Sequence, residues 1–254
     1  SDDIGTVDLA VGFDASTYTG TITQTAANTW RINEDETINS IASTSAGAVF
    51  DLQANTLTTG DPGSTAYLGD ITGTGGLTKV GTGTFDISGT STYTGATTVS
   101  AGTLAVSGSL ASAVTVNGGR LDVTGSTSST IDIGAAGTLG GEGSTSGDVA
   151  FTALGGILAI DGSGVSTDAF DTTGDFDSTA VVSVLVEAAA TGVFSVVDFN
   201  TWTNTAGLAD FMIDSGGIQA SSRGATFADT SGDLGVSPGS ITLNMGFQTR
   251  TWNV

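Results

Sequence analysis

Five aspartates between residues 161 and 177 form a group that could do chemistry. They stand among Gly, Ser and Thr, a composition typical of a loop, and they are Asp161, Asp168, Asp171, Asp175 and Asp177. Hydrolysis of a glycosidic bond needs two carboxylates about 5–10 Å apart, and elimination from an acidic sugar needs a base and a neutralising cation. The chain supplies the carboxylates, but it contains no His and only five Lys and Arg residues. We therefore expect a protein that is not an enzyme.

The same carboxylates suit calcium, because this cation prefers oxygen ligands. The candidate ligands are Asp168, Asp171, Asp175 and Asp177. No Asp-x-Asp-x-Asp-Gly loop occurs, and residues 140–145, GGEGST, begin like a calcium-binding nonapeptide but have Thr where Asp is required. Calcium therefore stays open beside the simpler interpretation, in which solvated acids lie in a loop, and no other cofactor is expected.

Three tryptophans are the candidates for a sugar-binding surface: Trp30, Trp202 and Trp252. Scattered tryptophans in a β-protein are more often core or cap residues, so both interpretations stay open. The glycine-rich stretches are not phosphate loops, because no Gly-Lys-Ser/Thr follows them.

The charge of the chain limits its partners. Twenty-six acidic and five basic residues give a net charge of −21, which repels phosphate backbones and anionic lipid. No apolar run approaches the roughly 20 residues that span a bilayer. We therefore expect neither nucleic acid as a partner nor direct insertion into a membrane.

Two interleaved patterns of apolar residues repeat along the chain with one period. The first has an apolar residue two positions after a glycine, at Phe85, Leu104, Leu121, Leu139 and Leu158. The second has alternating apolar residues that end at Val99, Val116, Ile133 and Phe151. Both repeat roughly every 17–19 residues, which predicts a coiled β-solenoid with one period per turn. Each set then forms a ladder of inward side chains, and each buried side chain stabilises the fold by roughly 1.5–3 kcal/mol.

Strand patterns also occur outside residues 73–160, where the period is regular. Residues 4–13 alternate apolar and small or polar residues, and shorter strand-like segments follow at 30–32, 38–41 and 49–52. After Ile160 the pattern weakens, with strands predicted at 181–186, 192–199 and 241–245 and a short helix possible within 205–213. We therefore predict a solenoid over residues 1–160 and a less regular β-rich cap or continuation over 161–254.

Residues 73–106 resemble the autotransporter-associated β-strand repeat of bacterial passenger regions. The resemblance lies in residues 75–81, GGLTKVG, in 83–85, GTF, in 91–97, STYTGAT, and in 101–104, AGTL. It implies an all-β, right-handed parallel β-helix, export to the bacterial surface or medium, and a role as stalk, adhesin or scaffold.

Two classes of function follow from these expectations. The first is a structural surface protein, such as a stalk or a self-associating filament subunit. The alternative is an adhesin or glycan-binding passenger module, and a polysaccharide-acting β-helix enzyme is the weakest hypothesis. For end-to-end self-association the predicted contact residues are apolar ones near the two termini: Val7, Leu9, Val11, Phe13, Ile241, Leu243, Met245 and Trp252. Terminal strands offer unpaired backbone groups to a second copy.

Overall fold

The protein is an all-β solenoid whose parallel strands stack turn upon turn. The computed structural model describes residues 6–9, 20–152, 156–160, 170–173, 175–178, 182–186, 192–199, 201–204, 211–214, 226–229 and 239–245, and side-chain burial is described for 20–152, 156–159, 172 and 173. All regular structure in these residues is β-strand. The fold class predicted from the sequence is therefore confirmed.

Each turn has three faces, which we number in the order that the chain visits them. Face 1 consists of β1 (Thr6–Leu9), β3 (Thr29–Ile32), β6 (Val49–Asp51), β9 (Asp70–Thr72), β12 (Thr90–Ser91), β15 (Ser109–Leu110), β17 (Ser126–Thr127), β19 (Ser144–Thr145), β22 (Phe170–Thr172) and β25 (Gly192–Phe199). Between β9 and β12 the stack is continued by a hydrogen bond of 2.9 Å from Thr92 N to Ile71 O.

Faces 2 and 3 belong to one continuous sheet. Face 2 consists of β4 (Glu36–Ile38), β7 (Leu57–Thr59), β10 (Leu77–Lys79), β13 (Thr97–Val99), the first parts of β16 (Val114–Val123) and β18 (Ile131–Gly140), β20 (Val149–Phe151), β23 (Asp175–Ser178) and β26 (Thr201–Asn204). Face 3 consists of β2 (Thr21–Gln24), β5 (Ser40–Ser43), β8 (Thr65–Tyr67), β11 (Thr84–Ile87), β14 (Thr103–Val106), the second parts of β16 and β18, β21 (Ile157–Ile160), β24 (Val182–Val186) and β27 (Phe211–Asp214). The last strands, β28 (Thr226–Asp229) and β29 (Gly239–Met245), pair in antiparallel fashion with each other, and β29 also pairs with β25.

The register of the paired strands gives the length of each turn. On face 3, Phe85 pairs with Leu104, and the ladder continues in register through Leu121, Leu139 and Leu158. These are the positions that the sequence pattern predicted, at the predicted spacing. On face 2, Leu77 pairs with Thr97, a step slightly longer than the predicted period, and the following steps, through Val114, Ile131 and Val149, lie within it. The predicted length of the turns is thus confirmed, except that the turn from Leu77 to Thr97 is slightly longer.

The turns shorten at their corners while the strands keep their lengths. The connection from β12 to β13 covers residues 92–96, whereas the equivalent connection one turn later covers residues 111–113. The connection between faces 2 and 3 shortens likewise, from residues 80–83 to residues 100–102. Glycines allow the close packing at these corners: a Cβ on Gly83 would lie 1.7 Å from Gly63 O.

The core is the set of inward side chains on the three faces. Both predicted ladders are buried, with Leu104, Leu121 and Leu139 on face 3 and Val99, Val116 and Ile133 on face 2, each 0% exposed. Thr115, between buried Val114 and Val116, is half-buried and lies on the outward side of β16. Face 1 was not predicted as a separate element in the shorter turns, because its two-residue strands are rich in Ser and Thr and show no apolar alternation.

The C-terminal strands differ in part from the sequence expectation. The predicted strands near 181–186 and 192–199 exist as β24 on face 3 and β25 on face 1. Strand β27, Phe211–Asp214, overlaps the stretch 205–213, which the sequence left open to a short helix. Within the described residues, no helix has the length and apolar character needed to cross a membrane.

A polar network lies inside the solenoid next to the apolar ladders. The hydroxyls of Tyr93 and Thr97 are 2.6 Å apart, and Thr97 Oγ1 is 2.5 Å from Ser112 Oγ. Tyr67 donates its hydroxyl proton to Gln24 Oε1. Both tyrosines are 0% exposed, so their rings fill the core while these hydrogen bonds satisfy their hydroxyls.

We expect the free energy of unfolding to fall between about pH 10 and pH 12 because of Tyr93. Burial raises the pKa of Tyr93 to about 12, an effect that its hydrogen bonds to Thr97 and Ser112 partly oppose, whereas the unfolded tyrosine ionises near 10. The folded state therefore keeps a proton that the unfolded state releases. The free energy of unfolding therefore has its full value below about pH 10 and falls as the pH rises towards 12. The fall is on the order of 2–3 kcal/mol, which corresponds to a pKa difference of two units.

Urea unfolding of the wild type and of Tyr93→Phe at about pH 9 and about pH 11 measures this loss. The variant should lose less stability than the wild type, although not none, because burial also raises the pKa of Tyr67. Burial lowers the pKa of Lys79, so this residue increases the free energy of unfolding as pH rises. It does so in both proteins. Equal losses in the two proteins would contradict the role of Tyr93.

Candidate functional site

The predicted calcium ligands lie on two faces of the solenoid. Asp171 is in β22 on face 1, paired in register with Ser144 and Asp198. Asp175 and Asp177 are in β23 on face 2, where Asp177 pairs with Ala150. Asp168 lies outside the described residues. In the part of the chain that the structure describes, no group of three or more His, Cys, Asp or Glu is placed to hold a metal ion, and calcium binding stays a prediction.

The residues predicted for self-association lie at both ends of the chain. Val7 and Leu9 are in β1, where they pair with Trp30 and Ile32 of β3. Ile241, Leu243 and Met245 are in β29, which lies between β25 and β28. Strand β28, rather than β29, is therefore the last described strand on this side of the sheet. Val11, Phe13 and Trp252 lie outside the described residues.

The structure places two of the three tryptophans, and they are on different faces. Trp30 is in β3 on face 1 and is partly buried against the hydrophobic core. Trp202 is in β26 on face 2, in register with Phe176. Trp252 is outside the described residues. Trp30 therefore has the packing of a core residue.

A polar cleft crosses the corner between faces 1 and 2 over three successive turns. Its volume is about 470 Å³, and its lining residues are Asn33, Asp51, Gln53, Ala54, Asn55, Gly73 and Thr74. We call it the corner cleft. No sequence pattern predicted it, although positions 33, 53 and 73 are evenly spaced. Their interval of 20 residues is close to the length of a turn in this part of the chain, which is 20 residues from Leu57 to its partner Leu77 and 21 from Val49 to its partner Asp70.

Asp51 is the acidic group of the corner cleft, and its carboxylate is fixed on several sides. Arg31 Nε donates to Asp51 Oδ2 at 3.2 Å, and the backbone N–H of Gln53 donates to Asp51 Oδ1 at 2.9 Å. The side-chain amide of Gln53 also donates to Oδ2. Because Arg31 balances its charge, Asp51 orients its neighbours and does not leave a free negative charge in the cleft.

Gln53 has a left-handed backbone conformation, with φ of +54°, which favours glycine. The conformation is held by the next turn, because Gly75 N and Thr74 Oγ1 donate to Gln53 O at 2.9 and 3.0 Å. Gly73, at φ of +112°, leaves room for this approach, since a Cβ there would lie 2.7 Å from Gln53 N. Asn55 Nδ2 donates to Ile32 O at 3.1 Å. The cleft therefore presents fixed amide, hydroxyl and carboxylate groups.

Lys79 is a buried cation whose role the sequence did not indicate. It occupies an inward position of face 2, in register with Thr59 and Val99, and is 1% exposed. Its ammonium donates to Val80 O at 2.5 Å and Gly81 O at 3.1 Å in its own turn, and to Ala101 O at 3.3 Å in the next. Burial lowers the pKa of Lys79, and the charge of Asp61 partly opposes this. We interpret Lys79 as a structural cross-link between two turns, because all three of its donors point at backbone carbonyls.

Comparisons with known proteins agree with this architecture. Residues 77–106 match the family model described as Passenger-associated-transport-repeat. An extracellular serine protease of Serratia marcescens is 37% identical over 102 residues, which are 40% of this chain and 8% of that protein. The chain thus matches only a small part of that relative's length, and no solved structure matches the chain.

The matched segment contains the strands from β10 to β14, which form one full turn and part of the next. It also contains Lys79 and the Phe85–Leu104 rung of the face 3 ladder. The resemblance seen in residues 73–106 is thereby confirmed. This chain is a β-solenoid that carries a passenger-associated-transport-repeat at residues 77–106.

Proposed function

We propose that the chain is a non-enzymatic structural segment of a bacterial extracellular or cell-surface protein, a stalk that associates end to end into filaments. The observation that carries the proposal is the continuous stack of parallel turns around one apolar core. The passenger-type repeat and the extracellular relative support the location. A stack of this kind adds length with each turn at about 4.8 Å per turn, which suits a spacer.

A structural role is supported by the residues that the chain lacks. The sequence contains no His and no Cys, so it cannot by itself form the Ser-His-Asp triad of serine hydrolases or a Cys-His pair. The similarity to a serine protease covers 8% of that protein and does not transfer its activity. Lys79, the one buried lysine in the described residues, is bonded to backbone carbonyls.

End-to-end association is supported by the strands at the two ends of the stack. Among the described strands, β2 pairs only with β5. At the other end, β26 pairs only with β23, and β27 only with β24. A strand with one neighbour can take a second parallel strand on its other side. A contact between opposite ends of two copies does not close on itself and builds a filament.

We expect the average mass in solution to rise with protein concentration, and to rise further when salt or calcium is added. The physical reason is the net charge of −21, whose repulsion between copies is screened by ions. Static light scattering across a concentration series measures the mass, and electron microscopy shows whether the assemblies are linear. A constant monomer mass under all conditions would overturn the filament proposal.

A matched pair of lysine variants tests whether the ends make the contact. Thr23 is exposed on the terminal strand β2, and Ala105 has the equivalent position four turns further on face 3, through Ala42, Ala66 and Asp86. Thr23→Lys should block the edge and reduce association, whereas Ala105→Lys changes the charge equally without touching an end. Equal behaviour of the two variants would argue against stacking at the β2 end.

A further inference from the structure

We propose that the corner cleft binds a neutral oligosaccharide. The site does not depend on the filament role, because it lies on the side of the solenoid, across the turns of β3, β6 and β9. Its volume of about 470 Å³ is in the usual range for small-molecule sites. Nothing in the stalk function requires a polar concavity at this corner.

The chemistry of the lining selects a ligand rich in hydroxyl groups. Asn33, Gln53 and Asn55 each carry an amide that both donates and accepts, and the hydroxyl of Thr74, whose proton is donated to Gln53 O, accepts. A sugar hydroxyl is likewise donor and acceptor, so neighbouring hydroxyls match these groups in pairs. An apolar ligand would leave the amides without partners, which is costly in a desolvated contact.

The charge around the cleft selects a neutral ligand. The negative charge of Asp51 is balanced by Arg31 at 3.2 Å, and the next residues after Asn33 are Glu34 and Asp35. No Lys lines the cleft, and the protein as a whole carries a charge of −21. Phosphate groups and acidic sugars are therefore repelled.

The cleft is organised before any ligand arrives. The left-handed conformation of Gln53 is strained for a residue that carries a side chain, and glycine would adopt it without strain. A glutamine at this place gives the cleft a side chain that glycine lacks. The carbonyl of Gln53 is held by Thr74 and Gly75, and its side chain by Asp51. Little conformational entropy is then lost on binding.

The form of the cleft suits a segment of a chain rather than an enclosed monosaccharide. Asn33, Gln53, Ala54 and Thr74 are exposed, so the lining is open to solvent. It also extends over three turns, at positions 33, 53 and 73–74. A linear oligosaccharide can lie along these turns and contact one turn with each sugar unit.

The experiment is a titration of the full ¹⁵N-labelled chain, followed by backbone amide chemical shifts. The probes are three neutral tetrasaccharides, namely cellotetraose, chitotetraose and mannotetraose, with tetragalacturonate as the acidic comparison. We expect at least one neutral probe to shift the amides of residues 53–55 and 73–75 with a Kd on the order of 1 mM. Tetragalacturonate should leave these signals unchanged.

Two variants connect the binding to the cleft. Gln53→Gly removes the amide but keeps the left-handed backbone, so the protein stays folded and its affinity should fall about tenfold or more, equivalent to about 1.4 kcal/mol. Asn117→Ala removes an exposed amide at another corner, between the two parts of β16, and should bind as the wild type does. The proposal is overturned if no neutral probe shifts the cleft residues, if Gln53→Gly binds like the wild type, or if calcium chloride shifts them and no sugar does.

Discussion

Replacing Leu121 with alanine is expected to lower the free energy of unfolding by about 2–5 kcal/mol. Leu121 is 0% exposed and lies between Leu104 and Leu139 in the ladder of face 3. The substitution removes apolar contacts and leaves a cavity. Because hydrogen bonds fix the spacing of the turns above and below, the ladder cannot collapse to fill that cavity. Urea unfolding followed by circular dichroism measures the change.

Thr115→Ala is the matched control for Leu121→Ala. Thr115 is in the same strand, β16, but faces outward between Val114 and Val116 and pairs in register with Thr98 and Asp132. Its half-buried side chain contributes little to the core, so the variant should lose less than about 1 kcal/mol. Similar losses in the two variants would mean that the inward and outward sides of β16 have been assigned wrongly.

The ladders were predictable because their signal is repeated in the sequence. An inward leucine recurs once per turn, flanked by outward Thr and Ala in β14 and by outward Arg and Asp in β16, so the alternation within these strands and the period between them indicate the same face. Face 1 has no such signal in the shorter turns. Strands such as Ser126–Thr127 are short and polar, and only their hydrogen bonds to the neighbouring turns identify them as strands.

The corner cleft was not predictable from the period that the sequence shows most clearly. That period holds after Phe85, whereas Asn33, Gln53 and Gly73 lie in longer turns, such as the one between the paired residues Leu57 and Leu77. The polar side chains meet where residues 33–35, 52–56 and 73–76 connect faces 1 and 2 in three neighbouring turns. The left-handed conformation of Gln53 is also not encoded by its residue type, since it depends on hydrogen bonds from the next turn.

Lys79 shows a different limit of sequence reasoning. Its position two residues after Leu77 indicates the inward side of the strand, while its charge indicates the solvent. In the structure Lys79 lies on the inward side, as the alternation indicates. Its long side chain reaches the corner, where the ammonium donates to three carbonyl oxygens. The free energy of burying Lys79 depends on where these carbonyl oxygens lie, and the sequence of strand β10 alone does not determine their positions.

We expect Lys79→Met to lower the free energy of unfolding by about 2–4 kcal/mol. Methionine keeps most of the length and volume but removes all three donors, so the carbonyls of Val80, Gly81 and Ala101 lose their shared partner at a site where Lys79 is only 1% exposed. A buried acceptor left without a partner costs about 1–3 kcal/mol. Part of this loss is offset, because the variant no longer buries a charged ammonium away from water. Urea unfolding at neutral pH measures the loss.

Arg120→Met is the matched control, because it also removes one positive charge. Arg120 pairs with Asp122 at 3.2 Å, with side chains 21% and 34% exposed, and a partly exposed ion pair of this kind contributes about 1 kcal/mol or less. The loss in Lys79→Met should therefore be clearly the larger of the two. If both variants lose the same small amount, then Lys79 does not cross-link the turns, and the stability of this corner comes from the close backbone packing of its glycines.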